Sequence, residues 1–524
     1  MSTTLTKFAA FVLFIFAVLP ARARQRDSTF TITIDVGKTA QTIENIGASG
    51  CWYSEGIGKY WPVDKKEKIA ELLFSRKFDK QGNPLGIGLS AWRFNVGAGT
   101  FEQGDSSGIK DFNKRTESFL NKDGSYDWSK QSGYQYFLRK AHGYGVETLI
   151  AFSNSPPVQF TKNGLGFKTE KDFKANLKDD SYNAYAHFLA EVVKHFDQQG
   201  LHFQYISPVN EPQWAWYDKY KEGSQEGSPW SNEDIFKVTK SLNTALDDAH
   251  LNSKILITEA GMLTYLYGGK STASRQTQEF FDPRSHLFVG ALSHVPKVIG
   301  GHSYFTESND STLRATRQHL ADTTRKYGVD YWETEYSMLG DGYKDGAKGK
   351  VSAMDCALFL AKVIHTDLTD GNATAWQFWN SYEPGSPDFD TRYYLIALKP
   401  EADFKNGEFT MTKNLWAMGS YSRFIRPGMQ RVIVSNKDNA DSNKLFISAY
   451  TDKNNKLVIV CINYGTGSVN TNLDLLHGKK KYKKMSIYLT AAGADLNMKA
   501  SGTKPYNRQV DLPGRSISTI VLEY

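Results

Sequence analysis

Two glutamates end two short apolar runs, in positions that suit acid–base and nucleophilic chemistry. Glu211 follows the run 203–209 within the tripeptide Asn-Glu-Pro, and Glu335 ends the run 331–335. Both runs have the length and the β-branched or aromatic content of buried strands. A carboxyl group where a buried strand opens into a loop is partly desolvated. Desolvation raises its pKa and suits it to act as a general acid near neutral pH.

An isolated Asn-Glu-Pro at 210–212 would equally fit a strand that ends in an ordinary polar turn. The second carboxylate, at the end of a second strand, favours a site. Cleavage of a glycosidic bond needs two carboxyl groups, one of which donates a proton while the other attacks or activates water. Asn210 would then lie beside the acid, where its amide could bind a sugar hydroxyl.

The strands that would carry these residues alternate with longer helical stretches. Such alternation is typical of βα units around a parallel sheet. Eight candidate strands lie at 43–49, 88–95, 147–153, 203–209, 254–259, 297–304, 330–335 and 373–379. They predict an α/β fold, a (β/α)8 TIM barrel with enlarged loops. The polar and aromatic residues that end these strands would then meet at one mouth of the barrel.

The pattern changes after about residue 414. Apolar and polar residues alternate within short runs separated by Gly, Asn and Asp, which predicts an appended antiparallel β-sandwich domain. The segment 29–36 also alternates, and it has no partner in the barrel. We therefore expect an N-terminal strand within 24–40 that joins the sandwich, a barrel over 41–413 and the sandwich over 414–524.

The first 23 residues resemble a secretory signal peptide. Lys7 precedes the apolar run 8–19, and Ala21-Arg-Ala23 offers an A-x-A cleavage pattern. The apolar run is short for a membrane span, and no later run has that length. We expect a secreted or periplasmic protein without a transmembrane segment.

Composition argues against several other classes of protein. The three cysteines, Cys51, Cys356 and Cys461, form neither a disulfide framework nor a metal-ligand cluster. The formal net charge of +7 is small for 524 residues. The dense basic run 479–484 is interpreted as the solvated end of a strand or turn, and no nucleic-acid-binding motif accompanies it. We expect a monomer that uses no metal and no cofactor.

Four stretches resemble one known enzyme family. The Asn-Glu-Pro at 210–212, the strand end at Thr334-Glu335, the junction 421–428 and the closing segment 512–521 are similar to glycoside hydrolase family 30, a family of clan A retaining glycosidases. The likeness covers nearly the whole mature chain. It implies a barrel fused to a β-sandwich built from both termini. It also implies Glu211 as acid/base at strand four and Glu335 as nucleophile at strand seven.

The spacing agrees with these roles. The two glutamates are 124 residues apart, which leaves room for three βα units. Barrel closure would then bring them to opposite sides of one pocket, with their carboxyl groups ~5–5.5 Å apart as in a retaining enzyme. Glu259 is the rival nucleophile, but it lies only one βα unit after Glu211, so binding of sugar hydroxyls or tuning of Glu335 suits it better. Glu333 would share the inward face of Glu335, one layer deeper, as a network partner.

Other strand ends and loops offer groups that could bind substrate. Arg93 could hold Glu335 ionised or form a structural ion pair, and His302 could serve the site or be a core histidine. Of Trp376 and Trp379, alternation predicts that one floors the sugar subsite and the other is core. The full set of candidate substrate-binding residues is Trp52, Arg93, Asn154, Asn210, Glu259, His302, Tyr304, Trp376 and Trp379.

These observations favour a secreted retaining glycoside hydrolase that cleaves a β-linked polysaccharide. The stretches 151–157 and 223–227 resemble the endo-β-1,6-galactanase branch of the family, which implies arabinogalactan side chains as substrate. A β-1,6-glucanase or a xylanase of the same family is the alternative. Two non-catalytic alternatives are a carbohydrate-binding barrel and an adhesin that uses the basic run 479–484.

Overall fold

A computed structural model describes residues 29–436, 444–454, 456–478 and 481–524. The predicted signal peptide, residues 24–28 of the predicted N-terminal segment and the first two lysines of the basic run lie outside these ranges. In the part of the chain that is described, no helix is long and apolar enough to cross a membrane.

The larger part of the chain is a parallel barrel, as the sequence predicts. After a first strand β1 (Phe30–Thr42), the barrel strands are β2 (Asn45–Ser49), β3 (Ala91–Asn95), β4 (Thr148–Phe152), β5 (Tyr205–Ser207), β6 (Lys254–Ile255), β7 (Ile257–Ala260), β8 (Val298–His302), β9 (Asp330–Tyr336) and β10 (Ala375–Phe378). Their order in the sheet is β6-β5-β4-β3-β2-β10-β9-β8-β7. Because β6 and β7 are two segments of one strand separated by Leu256, the nine segments make eight barrel positions. The Leu256 N–H donates to the carbonyl of Ile206 on β5, which continues the pairing through the gap.

Helices surround the barrel and pack apolar faces on it. They are α1 (Ser54–Tyr60), α2 (Val63–Phe74), α3 (Thr100–Gln103), α4 (Ser132–Gly143), α5 (Tyr182–Asp197), α6 (Asn232–Asp248), α7 (Thr264–Tyr267), α8 (Gln276–Phe281), α9 (Asp310–Tyr327), α10 (Ala353–Thr369) and α11 (Lys413–Ser422). Short 3₁₀ helices span Gly104–Ser107, Phe112–Lys114, Val158–Phe160 and Asp341–Lys344. The start of α6 is fixed by a capping box, in which Ser231 accepts from the Asp234 N–H and the Asp234 side chain accepts from the Ser231 N–H.

A small sheet follows the last barrel strand and lies at the mouth of the barrel. It contains β11 (Tyr382–Pro384), β12 (Ile396–Pro400) and β13 (Gly407–Met411). The β11 strand begins four residues after the end of β10, and this short connection brings Glu383 to the cleft described below.

The C-terminal strands form a second, nine-stranded sheet with β1. They are β14 (Gln430–Asn436), β15 (Leu445–Thr451), β16 (Leu457–Asn463), β17 (Val469–Leu476), β18 (Lys484–Thr490), β19 (Lys499–Pro505), β20 (Gln509–Leu512) and β21 (Ser516–Glu523). Apolar side chains from the two halves of this sheet meet in one core, the arrangement of a sandwich. Neighbouring strands are antiparallel except β1 and β17, which run in the same direction.

Strand β1 lies inside this sheet, between β14 and β17, and its Ile32 and Ile34 are fully buried. We expect Ile34→Ala to lower the free energy of unfolding by about 2–5 kcal/mol, because it leaves a cavity in the sandwich core. Lys38→Ala on the exposed part of the same strand is the matched control and should change it by less than about 0.5 kcal/mol. Denaturant unfolding of both variants measures the difference, and equal stabilities would contradict a structural role for β1.

Candidate active site

A cleft of about 630 Å³ opens at the carboxyl ends of the barrel strands. Its walls come from the loops after most of the barrel strands and from β11. Both Glu211 and Glu335 reach it, although each side chain is largely buried. The lining residues are Trp52, Lys114, Asn154, Asn210, Glu211, Trp214, Trp216, Gln225, Tyr304, Phe305, Glu335, Ser337, Leu339, Trp379, Glu383 and Tyr393.

Glu335 on β9 is held by two strong donors, one from β3 across the barrel mouth and one from the end of the neighbouring strand β8. The Arg93 guanidinium on β3 donates from Nη1 to Oε2 over 2.9 Å, and the Tyr304 hydroxyl donates to Oε1 over 3.0 Å. Arg93 is itself buried and lies over the ring of Phe152, with 4.3 Å between the guanidinium carbon and the ring centroid. These contacts fix the carboxylate in one orientation and compensate its charge.

A register shift in β9 decides which glutamates face the cleft. Gly301 on β8 pairs with Glu333 while His302 pairs with Glu335, so Thr334 is an extra residue in the ladder. Both Thr334 and Glu335 therefore point into the barrel mouth. Glu333 points the other way, accepts a hydrogen bond from the Ser303 N–H over 2.9 Å and feels the charge of Asp367. The predicted shared inward face of Glu333 and Glu335 is wrong, because the bulge breaks the alternation.

Glu211 lies on a left-handed backbone, with φ of 41°, just after β5. Its N–H donates to the carbonyl of Glu259 over 2.8 Å, and its own carbonyl accepts from the Trp216 indole over 3.1 Å. These bonds hold the unusual turn that aims the side chain into the cleft. Burial, and then the charge of Glu335, raise the pKa of the Glu211 carboxyl, although His302 opposes them.

The two carboxyl groups face each other at close range. Oxygens of Glu211 and Glu335 and the Nδ1 atom of His302 all lie within 4.8 Å of one another. Inverting glycosidases separate their carboxyl groups by ~6.5–9.5 Å to admit a water between them, whereas retaining ones use ~5–5.5 Å. The close approach of these two oxygens agrees with the shorter separation, that of retaining glycosidases.

His302 joins three carboxylates beneath the cleft. Its Nδ1 lies 3.0 Å from Glu211 and 3.7 Å from Glu335, and its Nε2 lies 3.0 Å from Glu259. Burial disfavours the imidazolium, but the charge of Glu335 and the hydrogen bonds to Glu211 and Glu259 outweigh it. They raise the pKa of His302 to about 10.

Glu259 is fully buried and does not line the cleft. Ser207 and Thr334 donate to its carboxylate, and Arg93 Nη2 lies 3.6 Å from Oε2. Burial opposes its ionisation, but Arg93 and His302 more than compensate and lower its pKa to about 2. Of the two roles predicted for Glu259, the geometry favours tuning of Glu335, since its oxygens are directed at neighbouring side chains and it shares Arg93 with Glu335.

Comparison with known proteins agrees with this geometry. The family model described as O-glycosyl hydrolase family 30 matches residues 29–389. The chain belongs to O-glycosyl hydrolase family 30. It is therefore a glycoside hydrolase.

Three relatives show the breadth of the likeness. A conserved exported protein from Bacteroides fragilis has a structure with a TM-score of 0.85 and 32% identity, covering 94% of this chain and 100% of that one. A glucuronoxylanase of Bacillus subtilis (strain 168) is 24% identical over 353 residues, which are 66% of this chain and 67% of that protein. The structure of an endo-β1,6-glucanase matches with a TM-score of 0.65 and 16% identity over 95% of each chain.

In this family 30 enzyme, the predicted binding residues separate into two groups. Trp52, Asn154, Asn210, Tyr304 and Trp379 line the cleft. Buried polar atoms of Trp52 (Nε1) and Asn210 (Oδ1) have no hydrogen-bond partner among the described residues. The second group, beneath the cleft or in the core, contains Arg93, Glu259, His302 and Trp376.

Arg93 and His302 therefore contact carboxylates and do not line the cleft, and for Arg93 this is the predicted contact with Glu335. Trp376 is the core residue of the predicted pair, and Trp379 is the one that lines the cleft. It is fully buried, and its indole N–H donates to Asp367 on α10 over 3.0 Å. Trp376 and Trp379 are three positions apart, so the alternation of β10 sends them to opposite faces.

Trp379 instead packs edge-on against Trp52, with 5.1 Å between ring centroids. We expect Trp379→Ala to raise KM about tenfold, because a sugar ring would lose roughly 1.5 kcal/mol of stacking. Trp376→Phe is the matched control, which should lower the melting temperature and leave KM unchanged. Initial-rate kinetics with thermal melts test the pair, and a reversed pattern would contradict the assignment.

Several cleft residues were not singled out from the sequence. Lys114 lies over the Trp52 ring at 4.6 Å, and Phe305 is half exposed beside Trp214. Burial raises the pKa of Glu383 to about 7, and Asn380 donates a hydrogen bond to this carboxyl over 3.1 Å. Lys114 ends a short 3₁₀ helix, Phe305 lies in the loop after β8, and Glu383 lies within the three-residue strand β11, so no periodicity marks them.

Glu211, Glu335 and His302 are also close enough to offer three ligand atoms to one metal ion. However, His302 already uses both ring nitrogens in contacts with Glu211 and Glu259, and Arg93 occupies an oxygen of Glu335. The carboxylates thus have cationic partners from the protein itself. We assign no metal site to them.

Proposed function

We propose that the enzyme hydrolyses a β-linked polysaccharide by double displacement, with Glu335 as nucleophile and Glu211 as acid/base. In the first step an oxygen of Glu335 bonds to the anomeric carbon while the bond from that carbon to the leaving oxygen breaks. Glu211 gives its proton to that oxygen. In the second step Glu211 takes a proton from water, the water oxygen bonds to the anomeric carbon, and Glu335 is released. Two inversions at one carbon leave the β configuration unchanged.

The proposal rests on one observation: Glu335 and Glu211 lie close together, but the residues around them favour different protonation states. Glu335 accepts from a guanidinium and a phenol, the contacts that a carboxylate nucleophile requires. Glu211 has its pKa raised by burial and by the charge of Glu335, which favours the protonated form that the first step needs. The raised pKa of Glu211, beside a Glu335 held by a cationic and a phenolic donor, supports this division of roles.

For the substrate, we propose β-1,6-galactan side chains of arabinogalactan, cleaved internally. The stretch 223–227, which resembles the galactanase branch, contributes Gln225 to the cleft wall. Next to it, Glu226 accepts from the Thr100 hydroxyl over 2.6 Å and ties this loop to the loop after β3. Asn154, from the other galactanase-like stretch, also lines the cleft. The glucanase and glucuronoxylanase relatives keep β-1,6-glucan and xylan as alternatives.

Product analysis over a panel of polysaccharides tests the substrate. We expect the fastest release of reducing ends from β-1,6-galactan, and a ladder of oligosaccharides early in the reaction. Equal or faster release from β-1,6-glucan or xylan would refute the galactanase assignment and leave the hydrolase intact. Binding to galactan without release from any β-linked polymer would favour a carbohydrate-binding protein.

We also propose that the enzyme is exported by the signal peptide predicted at residues 1–23. The relative from Bacteroides fragilis described as an exported protein supports this.

A further inference from the structure

Five ionisable groups form one cluster at the floor of the cleft, and its net charge depends on whether Glu211 carries a proton. Arg93 and His302 are cations, while Glu259 and Glu335 are anions. The sum is zero when Glu211 carries its proton, and negative when it does not. A buried cluster is most stable near neutrality, because an uncompensated charge costs several kcal/mol.

We propose that Glu259 is a positioning residue whose fixed negative charge keeps the proton on the Glu211–His302 pair until it passes to the leaving oxygen. This inference rests on the acid/base role proposed for Glu211. Glu259 touches no substrate, since it is fully buried and outside the cleft lining. It acts through His302, whose Nε2 lies 3.0 Å from one of its oxygens and whose Nδ1 lies 3.0 Å from Glu211.

The geometry shows how the charge of Glu259 is held in place. Ser207 on β5 and Thr334 on β9 donate to it, and the Glu211 N–H donates to its backbone carbonyl. The residue has a left-handed φ of 52°, at a register shift between β7 and β8. This irregularity turns the carboxylate toward the barrel axis, where it meets the imidazole.

Two other carboxyl groups lie near His302, but neither provides a permanent negative charge. Glu335 lies 3.7 Å from Nδ1, but both of its oxygens already accept hydrogen bonds, from Arg93 and Tyr304. It also loses its negative charge when it bonds to the sugar. Glu333 lies on the opposite face of β9, and burial followed by the charge of Asp367 raises its pKa well above the usual range. Glu259 alone among these carboxylates keeps its charge throughout the proposed reaction.

The negative charge of Glu259 determines the direction in which its removal shifts the pH profile. Glu211 and His302 titrate as a coupled pair, so the pH at which the pair loses its first proton depends on the total charge nearby. Removing one negative charge makes each proton easier to lose. The alkaline limb of kcat/KM, which reports loss of the acid, should therefore move to lower pH.

The test is a pH–rate profile of Glu259→Gln, which keeps the volume and removes the charge. On the polysaccharide we expect the alkaline midpoint to fall by about one pH unit or more, the scale of a lost charge at hydrogen-bond distance. On an aryl β-glycoside with an acidic leaving group, which needs no proton, the variant should keep most of the wild-type glycosylation rate. Ser207→Ala, which removes one hydrogen bond and leaves the charge, should keep the wild-type midpoint.

A uniform loss of rate at every pH with an unmoved midpoint would overturn the inference in favour of a purely structural role. If Glu259→Gln does not fold, the ¹⁵N chemical shifts of His302 in the wild-type enzyme decide. A protonated ring at pH 8 is expected, and a neutral ring there would refute the inference. A wild-type enzyme without activity on any β-linked polymer would instead refute the proposed function.

Discussion

Glu335→Gln is expected to lower kcat on polysaccharide by roughly 10⁴- to 10⁶-fold, the scale on which loss of a catalytic nucleophile acts. The amide has nearly the same shape, but its oxygen is too weak a nucleophile to attack the anomeric carbon. Arg93 would still find an acceptor, so the fold should persist. Reducing-sugar release together with a thermal melt measures both quantities.

Glu333→Gln is the matched control, because it makes the same chemical change two residues away on the opposite face of β9. Glu333 is fully buried and its pKa is raised far above the usual range, chiefly by burial, so an amide resembles its protonated form. We expect a rate within about tenfold of wild type, since no reacting atom is near. A Glu335→Gln enzyme that still turns over, or an NMR time course in which the α-anomer appears first, would show that Glu335 is not the nucleophile.

Glu211→Ala is expected to act selectively. On polysaccharide, whose leaving alcohol needs a proton, the rate should fall by about 10²- to 10⁴-fold. On an aryl glycoside with an acidic leaving group, the first step should proceed nearly as in wild type and the glycosyl-enzyme should accumulate. Added azide needs no general base, so it should enter the space left by the carboxyl and release a β-glycosyl azide.

Glu383→Gln is the control for this experiment, because Glu383 is the other carboxyl in the cleft with a pKa raised by burial, to about 7. It should show neither the dependence on leaving group nor the azide product. If Glu383→Gln gives the azide product and Glu211→Ala does not, the acid/base assignment belongs to Glu383.

The sequence alone was sufficient to predict the barrel and the position of two glutamates at its mouth. Apolar runs of strand length separated by helical stretches reflect burial on both faces of a parallel sheet, which is a local property of the chain. The ends of such strands must meet at one mouth, so Glu211 at the end of β5 and Glu335 on β9 could be paired across 124 residues. Alternation also predicted that Trp376 and Trp379 would differ in role.

The tertiary structure decided which side chains reach the cleft where the strands depart from strict alternation. The bulge in β9 turns Glu333 away from Glu335, and the irregularity in β7 turns Glu259 beneath the cleft. Each depends on the register of neighbouring strands that are distant in sequence. The loops that bring Lys114, Phe305 and Glu383 to the cleft follow no period. The carboxyl groups that raise the pKa of His302 come from three different strand ends, so only closure of the barrel brings them within 4 Å of its ring.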